Sequence, residues 1–181
     1  MTTPFTAPAP LGILDVQYTG TQALAACVVA ASFRSPTPAE ERVALVTDVK
    51  PYKPGAFFER ELPCLLAVLA LVQTPLLALV IDGYVDLDEH GAPGLGAHLH
   101  AHYQGVLPVI GVAKTAFRKS SFATPVLRGK SQSPLFVTAR GLSPDNAARL
   151  VQQMHGPHRI PTLLTRVDHL ARGLASPRQG K

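Results

Sequence analysis

From Leu62 to Ile81 the chain carries no charged side chain, and that stretch limits its fold more than any other feature. It is long enough to cross a bilayer as one helix. Its interior argues otherwise, because Gln73-Thr74-Pro75 interrupts the run and proline removes a backbone donor that a continuous helix would need. The stretch therefore reads as a buried helix whose start Pro63 marks, followed by a buried strand, Leu76 to Asp82, with no membrane span.

That strand ends on Asp82-Gly83. A carboxylate at the tip of a buried strand is costly to desolvate unless a positive charge compensates it. Asp15 and Glu61 sit beside comparable apolar segments, and three such acids from separate elements suggest a shared divalent cation. The pattern predicts a metal-dependent phosphodiester hydrolase.

With 181 residues, 46% of them hydrophobic, the chain can bury a full-sized core as one domain. That domain is expected over residues 11–175, after a Pro/Thr/Ala-rich lead-in (1–10) and before a polar tail (176–181). A formal charge of +5, from 17 Lys+Arg against 12 Asp+Glu, suits a polyanionic partner without establishing one. Cys27 and Cys64 lie inside apolar runs, as buried thiols do, which points to a reducing cytoplasm. The N-terminus has neither a basic nor an apolar leader region, so no signal peptide is expected.

Leu11–Tyr18, Ala23–Phe33 and Val43–Val49 read as strands separated by Gly20-Thr21 and Ser35-Pro36-Thr37-Pro38, close enough in sequence for an antiparallel meander. After the helix and strand described above, a helix is expected over Ala97–Gln104 and a strand over Val106–Val112, the alternation that gives parallel crossovers. Lys114–Lys130 reads as a basic loop and Pro134–Thr138 as a short strand. Ser143-Pro144-Asp145 opens a helix with a serine cap and proline at its first position, and a last helix is expected over Thr162–Leu174. The order describes an α/β fold, a ribonuclease H-like mixed sheet of an antiparallel three-strand meander plus parallel strands, flanked by helices.

Five segments add a resemblance. Pro51-Tyr52-Lys53-Pro54-Gly55 with Phe57 and Glu61, then Asp82-Gly83, Gly111-Val112-Ala113-Lys114, Ser133-Pro134-Leu135-Phe136-Val137 and Thr165-Arg166-Val167-Asp168-His169 resemble, in order, the motifs of the endonuclease V family, nucleases acting at deaminated bases. The resemblance implies that Asp15, Glu61 and Asp82 bind Mg²⁺, with Mn²⁺ able to substitute. His169 takes the place of the family's fourth active-site residue, which is His or Asp, and Lys114 that of its active-site lysine.

By the same resemblance Tyr52 is the wedge that fills the gap left by an unstacked base. Pro51, Pro54 and Gly55 stiffen its loop, Phe57 walls the base pocket, and Gly83, Gly111 and Ala113 let main chain approach the base. Arg166, Arg118 and Lys119 are implied as backbone contacts. The expected partner is DNA containing deoxyinosine, with RNA as an alternative substrate, and the protein is expected to act as a monomer. The expected cut falls at the second phosphodiester bond 3′ to the lesion, leaving 3′-hydroxyl and 5′-phosphate ends. A module that recognises damaged bases without cutting is the reading from a different class.

The chain departs from the family pattern in three places. Gly83-Tyr84-Val85-Asp86-Leu87-Asp88-Glu89-His90 is two residues longer than the family's loop, making His90 the displaced counterpart of the family's histidine. The extra acids Asp86, Asp88 and Glu89 add charge there. Arg140-Gly141 stands where members have Gly-His, and the helix that precedes the first acid in the family is missing ahead of Asp15. His98, His100 and His102 invite a zinc reading, but only His98 and His102 share a helix face and no cysteine completes a site; packing or hydrogen bonding is the expected role of His100.

Overall fold

The computed structural model describes residues 7–117 and 122–173. Seven strands form one sheet: β1 (Leu11–Thr19), β2 (Gln22–Ala30), β3 (Glu40–Val46), β4 (Ala78–Asp82), β5 (Val109–Ala113), β6 (Thr124–Val126) and β7 (Leu135–Arg140). Their spatial order is β3-β2-β1-β4-β5-β7-β6. β1 to β3 make the antiparallel meander, β1, β4 and β5 run parallel, and β7 and β6 return antiparallel. This is the ribonuclease H-like sheet that the order of elements predicts.

Four helices cover the faces: α1 (Phe58–Leu69), α2 (Leu95–His102), α3 (Pro144–Gln153) and α4 (Thr162–Ala171). α1 and α2 close the core around Leu14, Val29, Leu65, Leu79 and Leu99, whereas α3 and α4 close the core around Ile13, Val28, Val80, Ile110 and Val151. β1 is buried from Leu11 to Val16, and β4 is buried from Ala78 to Ile81. That burial explains why these strands read as continuous apolar runs rather than alternating ones. Truncating a core side chain such as Leu65 to alanine costs about 2–5 kcal/mol.

Some boundaries differ from the sequence-based expectation. α1 begins at Phe58, so Pro63 lies inside it rather than at its start. Pro63 is on an exposed face, and the helix gains its stability from the buried stripe Glu61, Cys64, Leu65, Val68 and Leu69. Strand β6 lies within the stretch that reads as loop; it is a three-residue edge strand carrying Pro125, where a missing backbone donor is tolerated. α3 has the expected cap, with Ser143 Oγ accepting from Asn146 N at 3.3 Å and Pro144 in the first turn. The tail and part of the lead-in lie outside the described residues, but Ala7 packs against the core.

Cys27 and Cys64 are both free and buried. Among the described residues no helix is long and apolar enough to cross a membrane.

Candidate active site

The site forms at the ends of β4 and β5, beside the point midway along β1 where its pairing with β4 stops. β1 and β4 are in parallel register at Leu14 and Ile81, so Asp15 and Asp82, the next residue of each, stand side by side at the sheet's edge of pairing. Glu61 arrives from α1 on the other face, placed there because it belongs to the helix's buried stripe. Asp15 is only 9% exposed and Glu61 only 8%.

These acids repel one another. Burial, then the charge of Asp82, raises the Asp15 pKa from 3.8 to about 6. Burial, then Asp15 and Asp82, raises Glu61 from 4.5 to about 8. Asp15 Oδ1 accepts from Val16 N at 2.8 Å, but its Oδ2 is buried without a hydrogen-bond partner. Lys114, just beyond β5, donates to Asp82 Oδ2 at 2.5 Å. Although burial alone would lower the Lys114 pKa, the bond to Asp82 and the charges of Asp82, Asp168 and Asp15 raise it. The carbonyl of Lys114 is itself held by Arg159, which also donates to Pro134 O at 2.8 Å.

Three hard oxygen donors with excess negative charge and an orphaned carboxylate oxygen are the chemistry a divalent cation satisfies. The donor set therefore fits a metal in type and charge. Among the described residues, however, no three His, Cys, Asp or Glu side chains stand around one point as a closed coordination shell. The acids are near enough to perturb one another while Lys114 holds Asp82.

Asp82 borders two depressions. One is a cavity of about 490 Å³ lined by Tyr52, Gly55, Phe57, Phe58, Glu61, Asp82, Gly83, Tyr84, Leu87, Pro93, Gly94, Leu95 and Phe117. The other is a crevice of about 10 Å³ between β1, β4 and α4, lined by Leu14, Asp15, Asp82, Lys114, Leu164 and Val167.

The loop before α1 supplies the cavity's mouth. Tyr52 is 60% exposed and its ring centroid lies 6.1 Å from that of Phe57, so it does not pack into the core. Pro51 and Pro54 bracket it on an exposed turn, closed by Ala56 N donating to Lys53 O at 3.0 Å. Gly83 lines the cavity with φ +144°, a conformation side chains rarely adopt. Gly111 lies beneath: a Cβ there would meet Gly83 O at 2.5 Å and Thr138 Oγ1 at 2.8 Å. Its role is to let the Gly83 backbone settle on β5, not to line the cavity. Ala113 is likewise buried at the end of β5 and is not a wall of the cavity.

Three of the expected residues line neither depression. His169 is exposed on α4; the residue beside it, Asp168, is the one whose charge acts on Asp15 and Lys114. Asp168 falls on the stripe formed by Leu164, Val167 and Ala171, whereas His169 is rotated off it. Arg166 does not reach the cavity. It makes a bidentate ion pair with Glu41, at 2.6 and 2.9 Å, that ties α4 to β3. His90 is carried away from the cavity because Asp88 Oδ1 accepts from His90 N and Ala92 N, both at 2.9 Å, folding a tight turn. Its side chain is 85% exposed, 3.7 Å from Glu89. Arg118 and Lys119 lie outside the described residues.

Sequence reasoning also missed Tyr84. Its hydroxyl donates to Thr115 O at 2.7 Å and accepts from Phe117 N at 3.0 Å. It thereby fastens the loop after β5 to the cavity, with Phe117 and Phe122 each 5.8 Å from its ring. An aromatic directly after the Asp-Gly pair was the available signal. Two histidines of α2 make contacts within the fold: His98 stacks on Phe58 with ring centroids 3.6 Å apart, and His100 Nδ1 lies 2.8 Å from Leu107 O.

Three comparisons with known proteins agree. The family model for endonuclease V matches residues 6–142, which include Asp15, Glu61, Asp82 and Lys114. The chain belongs to the endonuclease V family. An endonuclease V of Streptomyces avermitilis is 33% identical over 145 residues, 67% of this chain and 61% of that protein; the match thus spans less than two thirds of that relative. A crystal structure of endonuclease V from Streptomyces avermitilis superposes with a TM-score of 0.74 at 29% identity, covering 92% of this chain and 83% of that one. Endonuclease V of Ciona intestinalis, in complex with a 24mer DNA containing an inosine followed by a ribo-adenosine, superposes with a TM-score of 0.77 at 21% identity, over 92% of this chain and 85% of that chain. This last likeness concerns the fold.

Proposed function

We propose that this endonuclease V family chain is a metal-dependent endonuclease that recognises inosine in a nucleic-acid strand and cuts the backbone nearby. The observation that carries the reading is the placing of Glu61 of α1 and Asp82 of β4 in the lining of an aromatic cavity that a nucleobase can enter, with Asp15 of β1 beside Asp82 in the adjoining crevice. Recognition and chemistry then lie next to each other, since Glu61 and Asp82 both border the cavity.

In this reading an unstacked base enters between Phe57, Phe58, Tyr84 and Phe117, and Tyr52 at the mouth takes its place against the neighbouring bases. Gly83 presents main chain to the base without a side chain in the way. Asp15, Glu61 and Asp82 would hold Mg²⁺ or Mn²⁺, with Asp168 adding negative charge from α4. When bound, such a cation supplies Lewis-acid polarisation of the phosphate and lowers the pKa of attacking water. Lys114, released from Asp82, is placed to meet a phosphate oxygen, and Arg159 keeps its backbone in register. The family resemblance assigns the cut to the second phosphodiester bond 3′ to the lesion, with 3′-hydroxyl and 5′-phosphate products. The free buried thiols suit a reducing cytoplasm.

The test is nicking of matched oligonucleotides, each with one inosine, as DNA and as RNA, with Mg²⁺, with Mn²⁺ and with chelator. Metal-supported cleavage beside inosine, absent from the adenine control, is expected. The RNA arm is included because the Ciona relative was captured with a ribo-adenosine after the inosine, and a preference for it would assign the substrate to RNA. Tight binding of inosine strands without cleavage under any metal would replace the nuclease reading with a recognition module.

A further inference from the structure

The cavity's far wall is built by a turn whose fastening lies outside the cavity. Leu87 and Pro93 line the wall, and the residues between them never touch it. Asp86 bridges to Pro93, Leu87 N donates to Ala92 O at 2.7 Å, and Gly91 N donates to Asp88 O at 3.2 Å. This closed turn makes one strong connection to the sheet. Arg140, the last residue of β7, brings Nη2 within 2.7 Å of Asp86 Oδ1, donates from Nε to Asp86 Oδ2 at 3.3 Å, and donates from Nη2 to Gly91 O at 3.2 Å. One guanidinium thus reaches both limbs of the turn, pairing its charge with the Asp86 carboxylate and hydrogen-bonding Asp86 Oδ2 and the Gly91 carbonyl.

We infer that Arg140, acting through Asp86 and the Gly91 carbonyl, is the positioning residue that sets the width of the base cavity and hence its selectivity for inosine. The inference rests on the proposed function. The turn is otherwise held to the body by Val85, whose N–H bonds Thr138 Oγ1 at 2.8 Å, and by Gly94 N donating to Val85 O at 2.8 Å. Both lie at its base, so without Arg140 the limbs from Leu87 to Pro93, still paired with each other, can swing as one unit away from the sheet. Without the guanidinium, Leu87 and Pro93 lose their fixed distance from Phe57 and Phe58 across the cavity. A looser wall weakens the hold on an entered base without touching the acids, so the effect belongs to binding and discrimination rather than to the cleavage step.

Two variants separate this role from a direct phosphate contact by Arg140. Arg140→Ala removes the clamp and a positive charge, whereas Asp86→Asn weakens the clamp and leaves the positive charge in place. Both should raise KM for an inosine strand about tenfold, with kcat within about twofold, and lower the inosine-over-adenine ratio of kcat/KM by about tenfold. Arg140→Lys, which keeps the ion pair, should recover part of the loss. In both disruptive variants hydrogen exchange at the amides of Leu87, His90 and Ala92 should accelerate about tenfold relative to the wild type.

If Arg140→Ala raises KM but Asp86→Asn does not, the arginine touches substrate directly and the clamp is overturned; unchanged exchange and selectivity in both variants overturn it as well. A wild-type protein that neither binds nor nicks inosine strands sinks the functional reading instead, and exchange rates alone then decide whether the clamp exists.

Discussion

The two depressions that meet at Asp82 could hardly be less alike. One, at about 490 Å³, is walled by Tyr52, Phe57, Phe58, Tyr84 and Phe117; the other, at about 10 Å³, is lined by Asp15, Asp82 and Lys114 with Leu14, Leu164 and Val167. The first has the size and apolar character of a small-molecule pocket, whereas the second admits no more than an ion or a single oxygen. On the proposed function, the contrast separates holding a base, which needs area, from breaking a phosphodiester bond, which needs charge. β4 divides them, and its terminal carboxylate belongs to both.

Removing that shared carboxylate gives the largest effect. Asp82→Ala should lower kcat on an inosine strand by about 10³-fold or more, the scale of losing metal-assisted charge stabilisation. Binding measured by fluorescence anisotropy should stay within about threefold of wild type. Tyr52→Ala should do the reverse, raising KM about tenfold with kcat nearly kept, since stacking is worth about 1–3 kcal/mol per base. If Asp82→Ala abolished binding, or Tyr52→Ala lowered kcat alone, the division between the two depressions would collapse.

Helix α4, which closes the crevice through Leu164 and Val167, is the next point at which to press. Asp168→Asn should slow cleavage about 10–100-fold, as loss of a supporting group around a metal does, while His169→Asn should stay within about twofold. The opposite ranking would return the role to His169. This pair also shows what could be read from the sequence. Asp82 announces itself because an apolar strand stops on it, and Asp15 because it interrupts the buried apolar stretch of β1. Acids on helices do not, because their neighbours in sequence face elsewhere. Glu61 and Asp168 each sit on a buried helical stripe, with Cys64 and Leu65 in one case and Leu164 and Ala171 in the other. Reading α4 by helical period rather than by its Thr-Arg pair would have picked Asp168. The meander was legible because short connections force it, whereas edge strand β6 read as loop. The turn 86–93 was not legible, because its shape depends on Arg140, far along the chain.

The charge crowded around Asp82 has a consequence for folding. Both Glu61 and Asp15 have folded pKa values above their ordinary ones, so the native state holds protons that the unfolded chain has released, and stability must fall as pH rises. For Asp15 the decline runs from about 4 to about 6, and for Glu61 from about 4.5 to about 8. The urea midpoint of the metal-free protein should therefore drop between pH 5 and about 8.5, by a few kcal/mol in unfolding free energy at most. Glu61→Gln should flatten most of that slope, and saturating Mg²⁺ should flatten it in the wild type. A midpoint that rose over the same range would mean that the acids are already compensated and that no cation is needed.

The smallest effect expected belongs to Arg166, which sequence resemblance placed on the substrate. Its guanidinium is committed to Glu41 through two bonds, at 2.6 and 2.9 Å, with side-chain exposures of 15% for Arg166 and 28% for Glu41. A partner so held has little to offer a phosphate unless the pair opens, and opening it would loosen α4, which carries Asp168, from β3. Arg166→Gln should thus cost about 1 kcal/mol of stability and change KM less than about twofold. The salt dependence of binding is the sharper measure, because a lost phosphate contact would lower the slope of log K against log salt by roughly one. An unchanged slope keeps Arg166 as a tie between helix and sheet. A reduced slope would extend the nucleic-acid surface past α4, so that contact with the strand would no longer be confined to the cavity side of Asp82.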